Sequence, residues 1–138
     1  MSSTMSTQDN TATARALIDL YNSRDFDRLT TLVTEDLELM NVPTRDIFRG
    51  PEGYRQLLRA WTTAMPDVTV EVDNLIAAGD WVTVECIGRG SVTGELTMPS
   101  GQMSPTGRQV EDRFCLVLHF RDGKIDRSRG YYDMSFMR

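Results

Sequence analysis

The chain has 138 residues, 40% hydrophobic and 25% charged, with a net charge of −5, which describes one soluble globular domain able to bury a single core. This acidity argues against a nucleic-acid surface, which needs clustered Lys and Arg to displace counterions, and there is neither a membrane-length apolar run nor a secretory leader in the polar start MSSTMSTQDN. Two cysteines and one histidine form no disulfide framework and no metal-ligand cluster, so the sequence implies a cytoplasmic protein with reduced thiols and no metal or other cofactor.

Residues 1–12 read as a disordered polar arm, and 13–138 as one domain. From about Thr13 to Asn22, Ala14, Leu17, Ile18 and Tyr21 recur at helical spacing. Asp25 can cap a second, short helix that buries Phe26, Leu29, Leu32 and Val33. A short strand follows from Leu37 to Asn41 and stops at Val42-Pro43, and 44–49 reads as a loop. Gly50-Pro51-Glu52 starts a third helix. Its stripe of Tyr54, Leu57, Leu58, Trp61 and Met65 ends at Pro66.

Val68, Val70 and Val72 then alternate with polar residues in a strand that turns at Ala78-Gly79-Asp80. A second strand runs from Trp81 to Val92, where Gly88 and Gly90 mark a bend or bulge. The stretch 91–108, rich in Gly, Pro, Ser and Thr, reads as a long connection. From Val110 to Phe120, Phe114, Leu116, Leu118 and Phe120 share one strand face. Asp122-Gly123 is a type I′ hairpin signal, and the last strand returns from Lys124 to about Met134. Helices followed by mostly antiparallel strands predict an α+β domain, with three N-terminal helices packed on the concave face of a strongly bent sheet. Such a sheet encloses a cone whose deep end is a small-molecule pocket.

Several short strings occur in this order and at this spacing: Arg49-Gly50-Pro51-Glu52-Gly53, Met65-Pro66-Asp67-Val68, Gly79-Asp80-Trp81-Val82, Pro105-Thr106-Gly107-Arg108, Asp122-Gly123-Lys124-Ile125 and Tyr131-Tyr132-Asp133. Together they resemble the SnoaL-like polyketide cyclase family of the nuclear transport factor 2-like superfamily, from about Ala14 to the end. The resemblance implies a cone-shaped α+β barrel and homodimers formed through the outer sheet face, for which Cys115 and Val117 lie opposite Phe114. In the family's aldol-type cyclases the last strand is similar to His-Arg-Asp-Trp-x-Asp, and in limonene epoxide hydrolase to Arg-Asp-Tyr-x-Asp; the Asp directly after Arg is the acid/base. Here the string is Ser128-Arg129-Gly130-Tyr131-Tyr132-Asp133. Arg129 and Asp133 match, and Gly130 replaces the catalytic aspartate. The functional residues of the more distant ketosteroid isomerase do not match either; its tyrosine donor falls near Leu17 and its base near Asn41.

Counting back from the Asp122-Gly123 turn, an unbroken hairpin pairs Leu116 with Arg129, Phe114 with Tyr131 and Asp112 with Asp133. Two facing carboxylates would raise one pKa, and Arg129 would hold a substrate oxygen or keep one aspartate ionised. The catalytic candidates are therefore Asp133, Asp112 and Arg129. A single bulge would invert the strand and turn Ser128, Gly130 and Tyr132 toward the pocket instead. The candidate lining is Tyr21, Trp61 and Met65 from the helices, Asn41 from the first strand, and Phe114, Leu116, Gly130, Tyr131 and Tyr132 from the last hairpin. Asn41 would orient a carbonyl or hydroxyl, or else serve as a turn residue before Pro43. Two functions follow. One is a cofactor-independent enzyme that isomerises, cyclises or hydrolyses a hydrophobic, oxygenated polyketide- or terpenoid-like molecule by acid/base chemistry. The other is a non-catalytic ligand-binding or accessory domain that has lost its acid/base at Gly130.

Overall fold

The computed structural model describes residues 7–137. Its first helix, α1 (Thr7–Asn22), buries Asn10, Ala14, Leu17 and Ile18. The arm expected over 1–12 is thus helical from Thr7 onward, because burial of Asn10 and a Thr7 Oγ1 bond to the Gly79 carbonyl (3.3 Å) dock this turn; residues 1–6 lie outside the described residues. The helix ends where Arg24 enters the left-handed region (φ 63°) and donates to the carbonyls of Tyr21, Pro66 and Val68. Asn22 clamps Val70 with two 2.8 Å bonds, one to each backbone group. Asp25 caps α2 (Phe26–Leu29) by accepting from the Arg28 amide at 3.2 Å, and a short 3₁₀ turn, Thr30–Leu32, leads into the sheet.

The main sheet has six strands: β1 (Val33–Asn41), β2 (Asp46–Arg49), β3 (Thr69–Ala78), β4 (Trp81–Ser91), β7 (Gln109–Arg121) and β8 (Lys124–Tyr131), in the order β2-β1-β8-β7-β4-β3. It is antiparallel except for the β1–β8 pair, and it does not close. Helix α3 (Gly50–Ala64) buries Tyr54, Leu57 and Leu58. Those residues join Leu17 and Ile18 of α1 and the inward-facing Leu39, Val82, Val84 and Leu118 in one core, so the helices cover one face of the bent sheet. The α+β cone expected from the element order is the observed architecture.

Three stretches depart from the sequence reading. Residues 46–49 form β2, an antiparallel partner of β1 with Leu39 opposite Phe48, where a loop was expected. The long connection contains a two-stranded hairpin, β5 (Leu96–Met98) and β6 (Gly101–Met103); both elements are too short for a periodic signal to emerge. The bulge expected at Gly88 or Gly90 lies elsewhere: β4 pairs with β7 without interruption from Trp81 to Ser91, and the register shift is in β3, between Val72 and Asn74. Gly88 and Gly90 instead make room. A Cβ at Gly88 would stand 3.3 Å from the Phe114 ring, and one at Gly90 3.2 Å from the Val68 Cα.

The decisive irregularity is in the last hairpin. Asp122 and Gly123 both have positive φ, 52° and 81°, as a type I′ turn requires, and Phe120 pairs with Ile125 as counted. Beyond it the register slips: His119 pairs with Arg127, Leu118 with Ser128 and Leu116 with Gly130. Asp126 is the additional residue, held by His119 Nδ1 at 2.6 Å and Arg121 at 3.6 Å. One added residue moves every later side chain to the other face.

Candidate functional site

Between the helices and the sheet lies a cavity that opens to solvent at one end. Its wall is overwhelmingly apolar, from Leu17, Leu57, Met65, Val70, Val110 and Leu116 among others, which is the character of a small-molecule site. Of the expected lining residues, Tyr21, Asn41, Trp61, Met65, Phe114, Leu116, Gly130 and Tyr132 all border it, as does Asp112.

The bulge separates the remaining candidates from it. The unbroken pairing of Leu116 with Arg129 and of Phe114 with Tyr131 is replaced by Leu116 with Gly130 and Cys115 with Tyr131, where the ladder ends, so the expected cross-strand pair of Asp112 with Asp133 does not form. Arg129 therefore stands on the outer face, beside Arg127, Asp126 and Glu38, and Tyr131 is 42% exposed there. Neither lines the cavity. Asp133 lies past the end of β8, exposed, with its Oδ1 accepting from the Ser135 amide at 2.9 Å. The inward set is Ser128 and Gly130 of β8 with Tyr132 just past its end, the alternative that a bulged strand predicts.

Asp112 sits on β7 opposite Gly88 and borders the cavity. It is half-buried. Burial first, and then the negative charge of Asp133, push its carboxyl up to about 6. Asp133 thus acts on the site through its field rather than by lining it. Among the described residues, Asp112 is the one carboxyl in the cavity wall.

Tyr132 is the polar counterpart. Its ring meets the Trp61 indole edge-on, with centroids 5.3 Å apart at 81°, and its hydroxyl accepts from Asn41 Nδ2 at 2.7 Å. Burial raises the phenol to about 12, the Asn41 bond pulls it down, and the charges of Asp46 and Asp112 raise it again. At neutral pH it is a neutral donor. Tyr21 is likewise raised to about 12 by burial, with nearby Arg24 lowering it, and burial raises Tyr54 still further. A carboxyl that changes charge near pH 6 and a phenol that keeps its proton provide a base and a hydrogen-bond donor in one apolar chamber.

Asn41 serves the turn, its amide reaching Thr44 at 2.8 Å, and the same amide donates to the Tyr132 hydroxyl at the cavity. Thr44 and Asp46, which complete this network, went unread in the sequence. The one signal available was the Asn-x-x-Thr-x-Asp spacing after the first strand. Among the described residues no group of three His, Cys, Asp or Glu side chains could hold a metal ion, and no helix is long and apolar enough to cross a membrane.

Comparison with known proteins places this geometry. A family model described as SnoaL-like polyketide cyclase matches residues 11–138. Aklanonic acid methyl ester cyclase AcmA of Streptomyces galilaeus is 29% identical over 126 residues, covering 88% of this chain and 83% of the relative. A SnoaL-like protein of Jannaschia sp. CCS1 superimposes with a TM-score of 0.81 at 20% identity, over 92% of this chain and 87% of its own. IdmH of Streptomyces antibioticus does so at 0.76 and 24% identity, over 93% and 94%.

Proposed function

Because the chain belongs to the SnoaL-like polyketide cyclase family, we propose that it is a cofactor-independent acid/base enzyme that cyclises or isomerises a hydrophobic, polyketide-like ketone. The observation that carries this reading is the pairing of Asp112 and Tyr132 in an otherwise apolar wall. Ionised above about pH 6, Asp112 removes a proton from the carbon next to a substrate carbonyl. The Tyr132 hydroxyl donates to that carbonyl oxygen as negative charge develops on it. In a cyclisation the resulting enolate carbon bonds to a second carbonyl carbon, and the alkoxide formed takes back the proton held by Asp112, so base and proton are both restored. The apolar wall excludes water that would compete for the enolate.

Gly130 gives the rival reading a specific basis, since it stands where the family's aldol-type cyclases carry their acid/base aspartate. In that reading the cavity binds a ligand without transforming it. The position accommodates a side chain: a Cβ there meets only Leu116 Cδ2, at 3.6 Å, an ordinary contact. Incubation with aklanonic acid methyl ester in deuterated water, followed by mass spectrometry, separates the two. Cyclised product or deuterium uptake by the unmodified chain supports the enzyme. Turnover by Gly130→Asp alone would show that a competent site is disabled in the natural chain and would favour the binding reading.

The outer sheet face is assigned to contact with a second copy. Ile47 and Ile76 (42% and 55% exposed) end one cross-strand row, Ile47-Met40-Arg129-Val117-Thr83-Ile76, and the exposed Trp81 and Tyr131 stand on the same face. Exposed Ile, Trp and Tyr side chains interleaved with Arg are the composition of a protein–protein interface.

A further inference from the structure

Behind the cavity wall, four side chains form a continuous hydrogen-bonded line. Asp46 Oδ2 accepts from Thr44 Oγ1 at 2.7 Å. Thr44 Oγ1 in turn accepts from Asn41 Nδ2 at 2.8 Å, and the same Nδ2 donates to the Tyr132 hydroxyl at 2.7 Å. Asp46 is 7% and Asn41 3% exposed, and neither Asp46 nor Thr44 borders the cavity. We propose that Asp46 is a positioning residue: acting through Thr44 and Asn41, it fixes the direction of the hydrogen bond at Tyr132, so that the phenol's proton is donated toward the cavity. This rests on the reading of Tyr132 as the substrate's hydrogen-bond donor.

The argument is one of donor and acceptor inventory. A carboxylate only accepts, whereas a hydroxyl or a primary amide can be read in either direction. The Asp46 oxygen receives a second hydroxyl donor, Ser100 Oγ at 2.7 Å, from the tip of the β5–β6 hairpin, so it is committed as an acceptor on two sides. Thr44 has one proton. The short bond to a carboxylate outweighs its alternative, the Asn41 backbone carbonyl at 3.4 Å. With that proton used, Thr44 Oγ1 can only accept from Asn41, which turns the amide's NH₂ end toward both Thr44 and Tyr132. The Tyr132 oxygen is then engaged as an acceptor, and its own proton points away from the amide. Without the carboxylate the line can be reversed, and the Asn41 side-chain oxygen would take the Tyr132 proton. Low local dielectric strengthens such a line and makes its polarity count.

The test needs no ligand and no turnover, so its failure is separate from failure of the acid/base reading. Fluorotyrosine is placed at position 132, and its ionisation is followed by fluorine NMR as pH is raised. Thr44→Val changes no charge; it frees the amide to turn, so the neutral phenol gains a carbonyl acceptor and ionises at higher pH. Thr44→Ser, which keeps the hydroxyl, retains the wild-type value. Asp46→Asn also raises the ionisation pH, although loss of a nearby negative charge by itself would lower it. An unchanged value in Thr44→Val, or a lowered one in Asp46→Asn, would overturn the proposal.

Discussion

Replacing Asp112 by asparagine should make the protein more stable and less active at once, with both effects confined to the same range of pH. In the unfolded chain an aspartate ionises near pH ~4, whereas in the fold burial and the Asp133 charge hold this one to about 6. Between those values the folded state keeps a proton that the unfolded state has lost. Stability therefore falls as pH rises through this window, and the whole loss is present above about pH 7. At ~1.4 kcal/mol per tenfold change in proton affinity the difference amounts to at most ~3 kcal/mol. Since the carboxyl is only half-buried and solvent screens it, we take roughly 1–1.5 kcal/mol. Asn escapes that cost. Urea melts of wild type and Asp112→Asn should thus show a gain of this size at pH 8 that shrinks through pH 6 and vanishes near pH 4. If Asp112 is the base, turnover at pH 8 falls by about 10²–10⁴ in the same variant, and wild-type turnover declines as pH drops through about 6. An equal stability gain at pH 4 and pH 8, or a loss at pH 8, would refute the assignment of a strained, ionised carboxylate in the wall.

Tyr132→Phe retains the ring that packs on Trp61 and removes only the hydroxyl. Steady-state kinetics should show kcat lower by about 10–10³ with KM little changed, as for a donor that acts mainly in the transition state; a rise in KM alone would make the hydroxyl a simple binding group. On the outer face, Ile76→Lys replaces the exposed apolar end of this row by a charge and should shift the chain from dimer to monomer in sedimentation equilibrium. A monomeric wild type would remove the interface assignment altogether.

Much of the fold is written in local pattern. The stripe from Tyr54 to Met65 specifies α3 and its buried side with no partner in view, because helical periodicity is a property of consecutive residues. Asp25 caps α2 and Asp122-Gly123 turns the last hairpin for reasons that lie within a few residues of each site. The apolar lining from α1, α3 and β7 was legible for the same reason; Asp112 was reached by counting across an unbroken hairpin, a register that the bulge replaces.

What the sequence could not decide is whatever depends on a partner. Four-residue β2 and three-residue β5 and β6 are strands only because other strands complete their hydrogen bonds. The bulge at Asp126 is stabilised by His119 and Arg121 across the hairpin, and that single residue exchanges Arg129 and Tyr131 for Gly130 and Tyr132 at the cavity. The bond between Asn41 and Tyr132 joins residues 91 positions apart. Local pattern thus determined which elements form and which faces are apolar; tertiary pairing alone decided which polar side chains of the last strand face the pocket, since a period of two has no memory of phase once a residue is added.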